Sequence, residues 1–96
     1  KCFVGCSGLT ENGISTGLMK EMLINQTMIK RTSGQRFVLC DSTKIGVSYS
    51  FFYSSLKGFD YLITDVKADD EVIEKVKENT GINVIKVEPL KGGWKI

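Results

Sequence analysis

Short apolar runs separated by longer amphipathic stretches predict β-strands that alternate with helices. Four runs have the length of strands: Cys2–Val4, Phe37–Cys40, Tyr61–Ile63 and Asn83–Val87. The second and third runs do not alternate apolar with polar residues, which is typical of strands buried on both faces of a parallel sheet. The pattern therefore predicts an α/β fold, with a parallel, Rossmann-like sheet and flanking helices.

Two of the longer stretches have the apolar spacing of amphipathic helices. Leu18–Arg31 is apolar at positions 18, 19, 22, 23, 28 and 29, and Ser15 or Thr16 is available as its N-cap. We expect this stripe, which contains three methionines, to face the core or another subunit. The second helix is predicted over Asp69–Thr80, because its first residue can cap it and Gly81 can end it.

The other segments give weaker signals. Thr10–Gly17 is polar and glycine-rich, which predicts a loop. Ser42–Leu56 is ambiguous and is compatible with a short helix followed by an aromatic segment packed on the sheet. Residues 88–96 hold the single proline and a Gly-Gly pair, and we expect a peripheral tail. At 96 residues the chain has room for one core, so it is one domain or part of one.

Charge and composition exclude several classes of function. The net charge of +2 is too small to indicate nucleic acid or an anionic membrane as the direct partner of this segment. No apolar run approaches the roughly 18 residues of a membrane span. The absence of histidine excludes Ser-His and Cys-His nucleophile schemes and histidine-ligated metal sites. We therefore predict a protein without metal or cofactor.

The cysteines indicate a reducing compartment. There are three of them, Cys2, Cys6 and Cys40, which is an odd number without a CxxC spacing. Each lies in or beside an apolar run, where a cysteine acts as a small apolar residue. We expect reduced core thiols in a cytoplasmic protein.

Three polar clusters follow predicted strands, and in a parallel sheet they would meet at the carboxyl edge, where such folds bind ligands. The first is Gly5, Ser7 and Gly8, and the third is Thr64 with Asp65. The second, Asp41-Ser42-Thr43-Lys44, combines backbone N–H groups, two hydroxyls and an ammonium in four residues. That combination suits a phosphate or another oxyanion.

Each cluster also has a purely structural interpretation. Ser42 or Thr43 can cap a helix while Lys44 points to water. The glycine pair around Ser7 can form a plain turn, and Asp65 can start a loop through an Asx-turn. The local sequence does not decide between these interpretations.

Taken in order, the motifs resemble the C-terminal effector domain of the DeoR family of bacterial transcription regulators. The matching pieces are Phe3-Val4-Gly5 with Gly8-Leu9, Gly13-Ile14-Ser15-Thr16, Glu21 with Met28-Ile29, Val38 to Gly46, and Asp60 to Asp65. The Asp-Ser-Thr-Lys and Ile-Thr-Asp pieces, about twenty residues apart, are the most specific of these.

The resemblance implies a fold similar to that of ribose-phosphate isomerase and a phosphorylated sugar as effector. It implies that this chain is the second half of the effector domain. An N-terminal winged helix, which binds DNA, and a glycine-rich phosphate loop would then lie outside the sequence. It also implies a role in repressing genes of sugar metabolism. We further expect a homo-oligomer, because half of a fold leaves apolar faces to cover.

Carried over by position, the candidate ligand contacts are Asp41 and Lys44, the lysine as the cation for phosphate or sugar oxygens. Ser42, Thr43 and Asp65 come next, followed by Ser7 and Gly8. The chain departs from the family pattern in two places, where Ser7 replaces the usual Asp and Asn25 the usual Lys.

Two other functions remain open from the sequence. The first is a sugar-phosphate isomerase, for which Asp41 or Asp65 could act as base beside Lys44. The second is an interaction domain with a vestigial pocket, which would associate through the methionine-rich helix and the aromatic residues Phe51 to Tyr53.

Overall fold

The computed structural model describes residues 1–88, and its elements alternate as an α/β fold requires. In chain order they are β1 (Cys2–Gly5), β2 (Gly8–Thr10), β3 (Gly13–Thr16), α1 (Met19–Arg31), β4 (Arg36–Leu39), β5 (Phe51–Ser54), β6 (Tyr61–Asp65), α2 (Asp70–Thr80) and β7 (Asn83–Val87). Two short 3₁₀ helices lie at Ser42–Lys44 and Leu56–Gly58. The tail predicted over residues 88–96 lies outside the described residues except for its first position.

The main sheet consists of four parallel strands in the order β1-β4-β6-β7. All four are the apolar runs that the sequence predicts as strands, so the fold class is confirmed. Because every strand points the same way, the ends of β4, β6 and β7 lie side by side at one edge of the sheet. The segments that follow these ends can therefore share one surface.

The two faces of the main sheet differ, which corrects the prediction that β4 and β6 are buried on both faces. Val4, Val38 and Leu62 point into the core and are fully buried. On the opposite face Phe3, Phe37 and Tyr61 stack in a ladder, with ring centroids 4.7 and 5.0 Å apart, and Phe3 is exposed. Both faces are apolar, so the strands do not alternate in sequence, but residues 1–88 cover only one of them.

A second, antiparallel sheet of order β2-β3-β5 corrects the loop predicted over Thr10–Gly17. The polar residues Ser15 and Thr16 are buried in β3, where hydrogen bonds satisfy them. The Ser15 hydroxyl accepts from the backbone N–H of Tyr49 at 2.9 Å. Composition alone indicated a loop because this partner is more than thirty residues away in sequence.

Helix α1 begins differently from the prediction. Its N-cap is Leu18, which makes no side-chain capping bond, because Ser15 and Thr16 belong to β3. The Thr16 hydroxyl nevertheless accepts from the N–H of Leu18 at 3.3 Å and donates to the Glu21 carboxylate at 2.7 Å. This strand residue therefore anchors the first turn of the helix from the side.

No residue of α1 is fully buried, although Met22 and Ile29 pack partly against the core. The expected core stripe is therefore only partly a core contact. Large apolar side chains remain exposed on or beside the helix, and we call this set the α1 surface: Leu18, Met19, Leu23, Ile24 and Met28.

Helix α2 confirms its prediction. The Asp69 carboxylate accepts from the N–H groups of Glu71 and Val72, as an N-cap should. Ile73 and Val76 are buried, and Gly81 ends the helix in the left-handed region at φ +70°. Within residues 1–88, no helix has the length and apolar character needed to cross a membrane.

Candidate ligand site at the carboxyl edge of the main sheet

A cleft of about 600 Å³ opens at the carboxyl edge of the main sheet, where β4, β6 and β7 end. Its volume falls in the range of about 300–1,000 Å³ that is typical of small-molecule sites. Its apolar lining is Leu39, Cys40, Ile63, Val66 and Val87. Its polar lining is Asp41, Ser42, Thr43, Thr64, Asp65 and Lys67. Two of the three polar clusters predicted for this edge therefore lie on one surface.

Asp41 organises the segment that follows β4. Its carboxylate accepts from the backbone N–H of Thr43 at 2.9 Å and from the Thr43 hydroxyl, so it caps the 3₁₀ helix Ser42–Lys44. Two side-chain hydrogen bonds lower the pKa of Asp41. The larger effect comes from the Thr43 hydroxyl and the next from the Lys44 ammonium. The side chain stays about half exposed, and its second oxygen, Oδ2, accepts from Lys44.

Lys44 forms an ion pair with the same carboxylate. Its Nζ lies 3.0 Å from Oδ2 of Asp41, and this hydrogen bond raises the pKa of Lys44. The ammonium adjoins the cleft through Asp41 but does not line it. An incoming anion would therefore compete with Asp41 for this cation.

Asp65 links the segments after β4 and β6. Its Oδ2 accepts from the N–H of Ser42 at 2.7 Å, and its Oδ1 accepts from the N–H of Lys67 at 3.0 Å. The bond from Ser42 is the main cause of a lowered pKa at Asp65. One carboxylate therefore fixes both walls of the cleft.

The backbone N–H groups of this edge are not free, which corrects one part of the sequence-based picture. Those of Ser42 and Thr43 bond to Asp65 and Asp41, and that of Lys44 bonds to the Asp41 carbonyl at 3.0 Å. Carboxylates and side-chain hydroxyls, rather than a cradle of free amides, are therefore the polar groups on offer at this cleft.

Ser7 and Gly8 lie after β1 and do not line this cleft. The Ser7 hydroxyl is 3.5 Å from that of Thr16. Position 8 is a glycine for a structural reason, because a Cβ here would collide with the carbonyl oxygen of Val47. The close approach of two backbone segments therefore accounts for the glycine.

Sequence reasoning missed two residues near this edge. Lys67 lines the cleft. The sequence feature that could have identified it is its position two residues after Asp65. Tyr53 is buried in β5, donates its hydroxyl to the carbonyl of Gly5 at 2.7 Å, and accepts from Asn25 at 3.3 Å. Burial raises the pKa of Tyr53. This contact joins the second sheet to the end of β1, and no local pattern indicates it.

One polar group at the cleft lacks a partner among the described residues. The Thr64 hydroxyl is buried, with the residue 3% exposed, and makes no hydrogen bond within residues 1–88. Among residues 1–88, no three Cys, Asp or Glu side chains converge in a way that could hold a metal ion. The chemistry on offer is that of carboxylates, hydroxyls and two lysines around an apolar floor.

Comparison with known proteins places this architecture in a family. Residues 1–66 match the family model described as the DeoR C terminal sensor domain. The chain is 25% identical over 92 residues to the HTH-type transcriptional repressor GlcR of Bacillus subtilis, covering 96% of this chain and 35% of that protein. It is 31% identical over 85 residues to the HTH-type transcriptional regulator UlaR of Escherichia coli, covering 88% and 33%.

The chain thus spans about a third of the length of the curated relatives it matches. Their names describe transcription regulators, and the matching model describes a sensor domain. The α/β fold with its parallel sheet agrees with that description. The chain belongs to the DeoR family, in its C-terminal sensor domain.

Proposed function

We propose that the cleft at the carboxyl edge binds a phosphorylated sugar, and that this chain is the second half of the effector domain of a longer repressor of sugar metabolism. The observation that carries the proposal is the arrangement of Asp41 and Asp65, which are held as carboxylates at the mouth of one cleft beside Lys44 and Lys67. Carboxylates accept hydrogen bonds from sugar hydroxyls, and ammonium groups attract phosphate.

The candidate contacts divide by chemistry. Asp41 and Asp65 accept from the hydroxyls of the sugar through the lone pairs that the protein leaves free. When the ligand binds, Lys44 leaves its ion pair with Asp41 and contacts the phosphate. This exchange requires no further charged residue from the protein. Ser42 and Thr43 contribute hydroxyls. Ser7 lies between β1 and β2, and Gly8 begins β2, so both would reach a ligand only if it extends beyond the cleft toward β1.

The proposed mechanism is a shift between two conformations of the parent protein. A ligand that binds one conformation better changes DNA affinity by its differential binding energy, typically about 1–3 kcal/mol. DNA binding itself is assigned to an N-terminal winged helix outside this chain. We propose binding without turnover, so the intact protein should leave the sugar phosphate unchanged.

The test is thermal unfolding of the intact protein with a panel of pentose and hexose phosphates and the same sugars without phosphate. A ligand at about 100 times its Kd adds roughly 2.7 kcal/mol of stability. We expect a rise in Tm for a phosphorylated sugar alone, and loss of that rise in Lys44→Ala. The matched control is Lys57→Ala, because Lys57 lies before β6, at the opposite end of the strand from the cleft.

The outcomes separate the parts of the proposal. A rise that persists in Lys44→Ala would contradict the role of Lys44 as the phosphate contact. An equal rise with unphosphorylated sugars would contradict phosphate recognition. No rise with any compound would contradict the effector site itself and favour an interaction domain.

We also propose that the intact protein is a homo-oligomer and that the α1 surface contributes to the contact. Ile24 is 61% exposed and Leu23 is 53% exposed, on a helix with no fully buried residue. Exposed apolar side chains concentrated on one helix favour an interaction site. This association is compatible with effector binding, because the α1 surface and the cleft share no residue.

A further inference from the structure

Two cysteines stand side by side at the edge of the main sheet. Cys6 directly follows β1, and Cys40 directly follows β4. The last registered pair between these parallel strands is Gly5 with Leu39, so Cys6 and Cys40 are the next neighbours in the register. Adjacent strands lie about 4.8 Å apart, which falls within the Cα separation of about 4.4–6.8 Å found in disulfides.

The side chains of this pair lie on the same face of the sheet. Alternation along the strands places Cys6 on the face of Val4 and Cys40 on the face of Val38, and both of those residues point into the core. Cys40 is the first cause of a raised pKa at Cys6, ahead of burial, which indicates that the two thiols lie close together. Both thiols are free.

The two thiols differ in accessibility. Cys40 is 5% exposed, and its thiol donates to the carbonyl of Asp41 at 3.7 Å. Cys6 is only half-buried, so an oxidant from solvent meets it first. Cys2 lies four residues before Cys6 and has Arg36 as its register neighbour. It therefore has no cysteine beside it in the main sheet.

Each cysteine of the pair directly precedes a segment that contains candidate ligand contacts. Cys6 is followed by Ser7 and Gly8, and Cys40 is followed by Asp41, which caps the 3₁₀ helix at the cleft. Cys40 itself lines the cleft. A covalent link between the two sulfurs would tie these segments together and remove the thiol hydrogen that Cys40 donates to the Asp41 carbonyl.

We propose that Cys6 and Cys40 are a modification site at which a peroxide forms a reversible disulfide. The raised pKa leaves only a small fraction of Cys6 as thiolate, and this fraction attacks the peroxide, which gives a sulfenic acid at Cys6 and, from hydrogen peroxide, hydroxide that takes up the released proton as water. The Cys40 sulfur then attacks the sulfenic sulfur, the S–S bond forms, and a second water leaves. In sum, two thiols are oxidised and one hydrogen peroxide is reduced to two waters.

The experiment is intact-mass and peptide mass spectrometry of the folded, full-length protein after exposure to excess hydrogen peroxide and then alkylation. Cys2 and Cys6 lie on one tryptic peptide, residues 2–20, whereas Cys40 lies on residues 37–44. The Cys2→Ser variant therefore assigns the link and is also the matched control. Cys6→Ser and Cys40→Ala each remove one partner, so a folding defect in one does not decide the result.

We expect loss of two hydrogens and a link between the two peptides in the native protein and in Cys2→Ser. Dithiothreitol should reverse both changes, and neither should occur in Cys6→Ser or Cys40→Ala. A link through Cys2, or addition of oxygen to Cys6 without loss of hydrogens, would overturn the proposal, as would an unreactive pair in the folded protein. The mass readout needs no effector. A consequence for effector affinity rests on the proposed function, so the two can fail separately.

Discussion

The carboxyl edge of the main sheet and the α1 surface are both exposed, but they are built in opposite ways. At the edge, Asp41 and Asp65 accept hydrogen bonds from three backbone N–H groups, so the polar groups are held in place before any ligand arrives. On the α1 surface the exposed groups are flexible apolar side chains. The first arrangement suits a small polar molecule that must be oriented, and the second suits a broad contact with another protein surface.

The difference teaches that exposure alone does not identify a ligand site. Pre-set hydrogen bonds fix directions in space, which a small ligand needs because it makes few contacts. An apolar patch gains affinity from buried area and requires no fixed direction. The proposal therefore gives effector binding to the edge and association to the α1 surface, and the following predictions test that division.

The largest expected effect is on the free energy of unfolding, and it compares a buried residue of the main sheet with a residue of the α1 surface. Leu62 in β6 is 0% exposed and Leu23 is 53% exposed, so the two Leu→Ala variants form a matched pair. Leu62→Ala should lower the free energy of unfolding by about 2–5 kcal/mol, because it leaves a cavity beneath the cleft. Any loss in Leu23→Ala should depend on protein concentration, since its contact is between copies. Urea denaturation at two concentrations measures both.

A large loss in Leu23→Ala that is independent of concentration would contradict this assignment. It would show that the α1 surface is covered within one subunit.

The next effect concerns association through the α1 surface. Ile24→Glu places a charge in the apolar patch, which should weaken self-association at least about tenfold, or roughly 1.4 kcal/mol. Sedimentation equilibrium of the intact protein measures this change. Asn79→Glu adds the same charge to an exposed position of α2 and should leave association unchanged. If both variants associate like the native protein, the α1 surface is not the contact.

The third effect concerns the unpartnered hydroxyl at the edge. Thr64→Val replaces a buried group without a hydrogen bond by a methyl group of similar size, and should raise the free energy of unfolding by about 1 kcal/mol. Thr80→Val is the matched control. The Thr80 hydroxyl donates to the Val76 carbonyl at 2.7 Å and accepts from Ile82, so its loss should destabilise by about 1 kcal/mol.

Thermal unfolding of both threonine variants provides the comparison. Destabilisation by Thr64→Val would mean that this hydroxyl has a partner, such as an ordered water, in solution.

The smallest expected effect is a pH dependence of stability that arises from the carboxylates at the carboxyl edge. The pKa values of Asp41 and Asp65 are lowered below the ordinary value of 3.8, so their contribution to stability is complete above that value. It should be lost as the pH falls below 3.8 through the lower pKa values of the folded state. Asp65→Asn should flatten this part of the curve of Tm against pH. An unchanged slope in Asp65→Asn would contradict the role of this carboxylate.

The sequence predicts the main sheet and α2 well because their signals are local. Asp69, the apolar positions 72, 73 and 76, and Gly81 lie within thirteen residues and act on the same helix. The second sheet escapes prediction because burial of Ser15 and Thr16 depends on partners distant in sequence. The start of α1 fails for the same reason, since its candidate caps are already strand residues.

The meeting of the polar clusters at the cleft is predictable from the sequence, but the hydrogen bonds among them are not. Parallel strands bring Asp41 and Asp65 to one edge, which follows from topology once the strands are known. The carboxylates accept hydrogen bonds from the Ser42 and Thr43 N–H groups. These bonds could not be predicted, because they depend on interatomic distances that a sequence pattern does not encode. The pairing of Lys44 with Asp41 and the contact between Cys6 and Cys40 are of the same kind.

The most direct test of the central assignment is hydrogen–deuterium exchange of the intact protein, with and without the phosphorylated sugar that raises its Tm. We expect slower exchange of the amides in residues 41–44 and 65–67, and unchanged exchange in residues 19–31. The unphosphorylated sugar should change neither. Protection confined to residues 19–31, or protection absent from residues 41–44 while the sugar phosphate is bound, would contradict the assignment of the effector to the carboxyl edge.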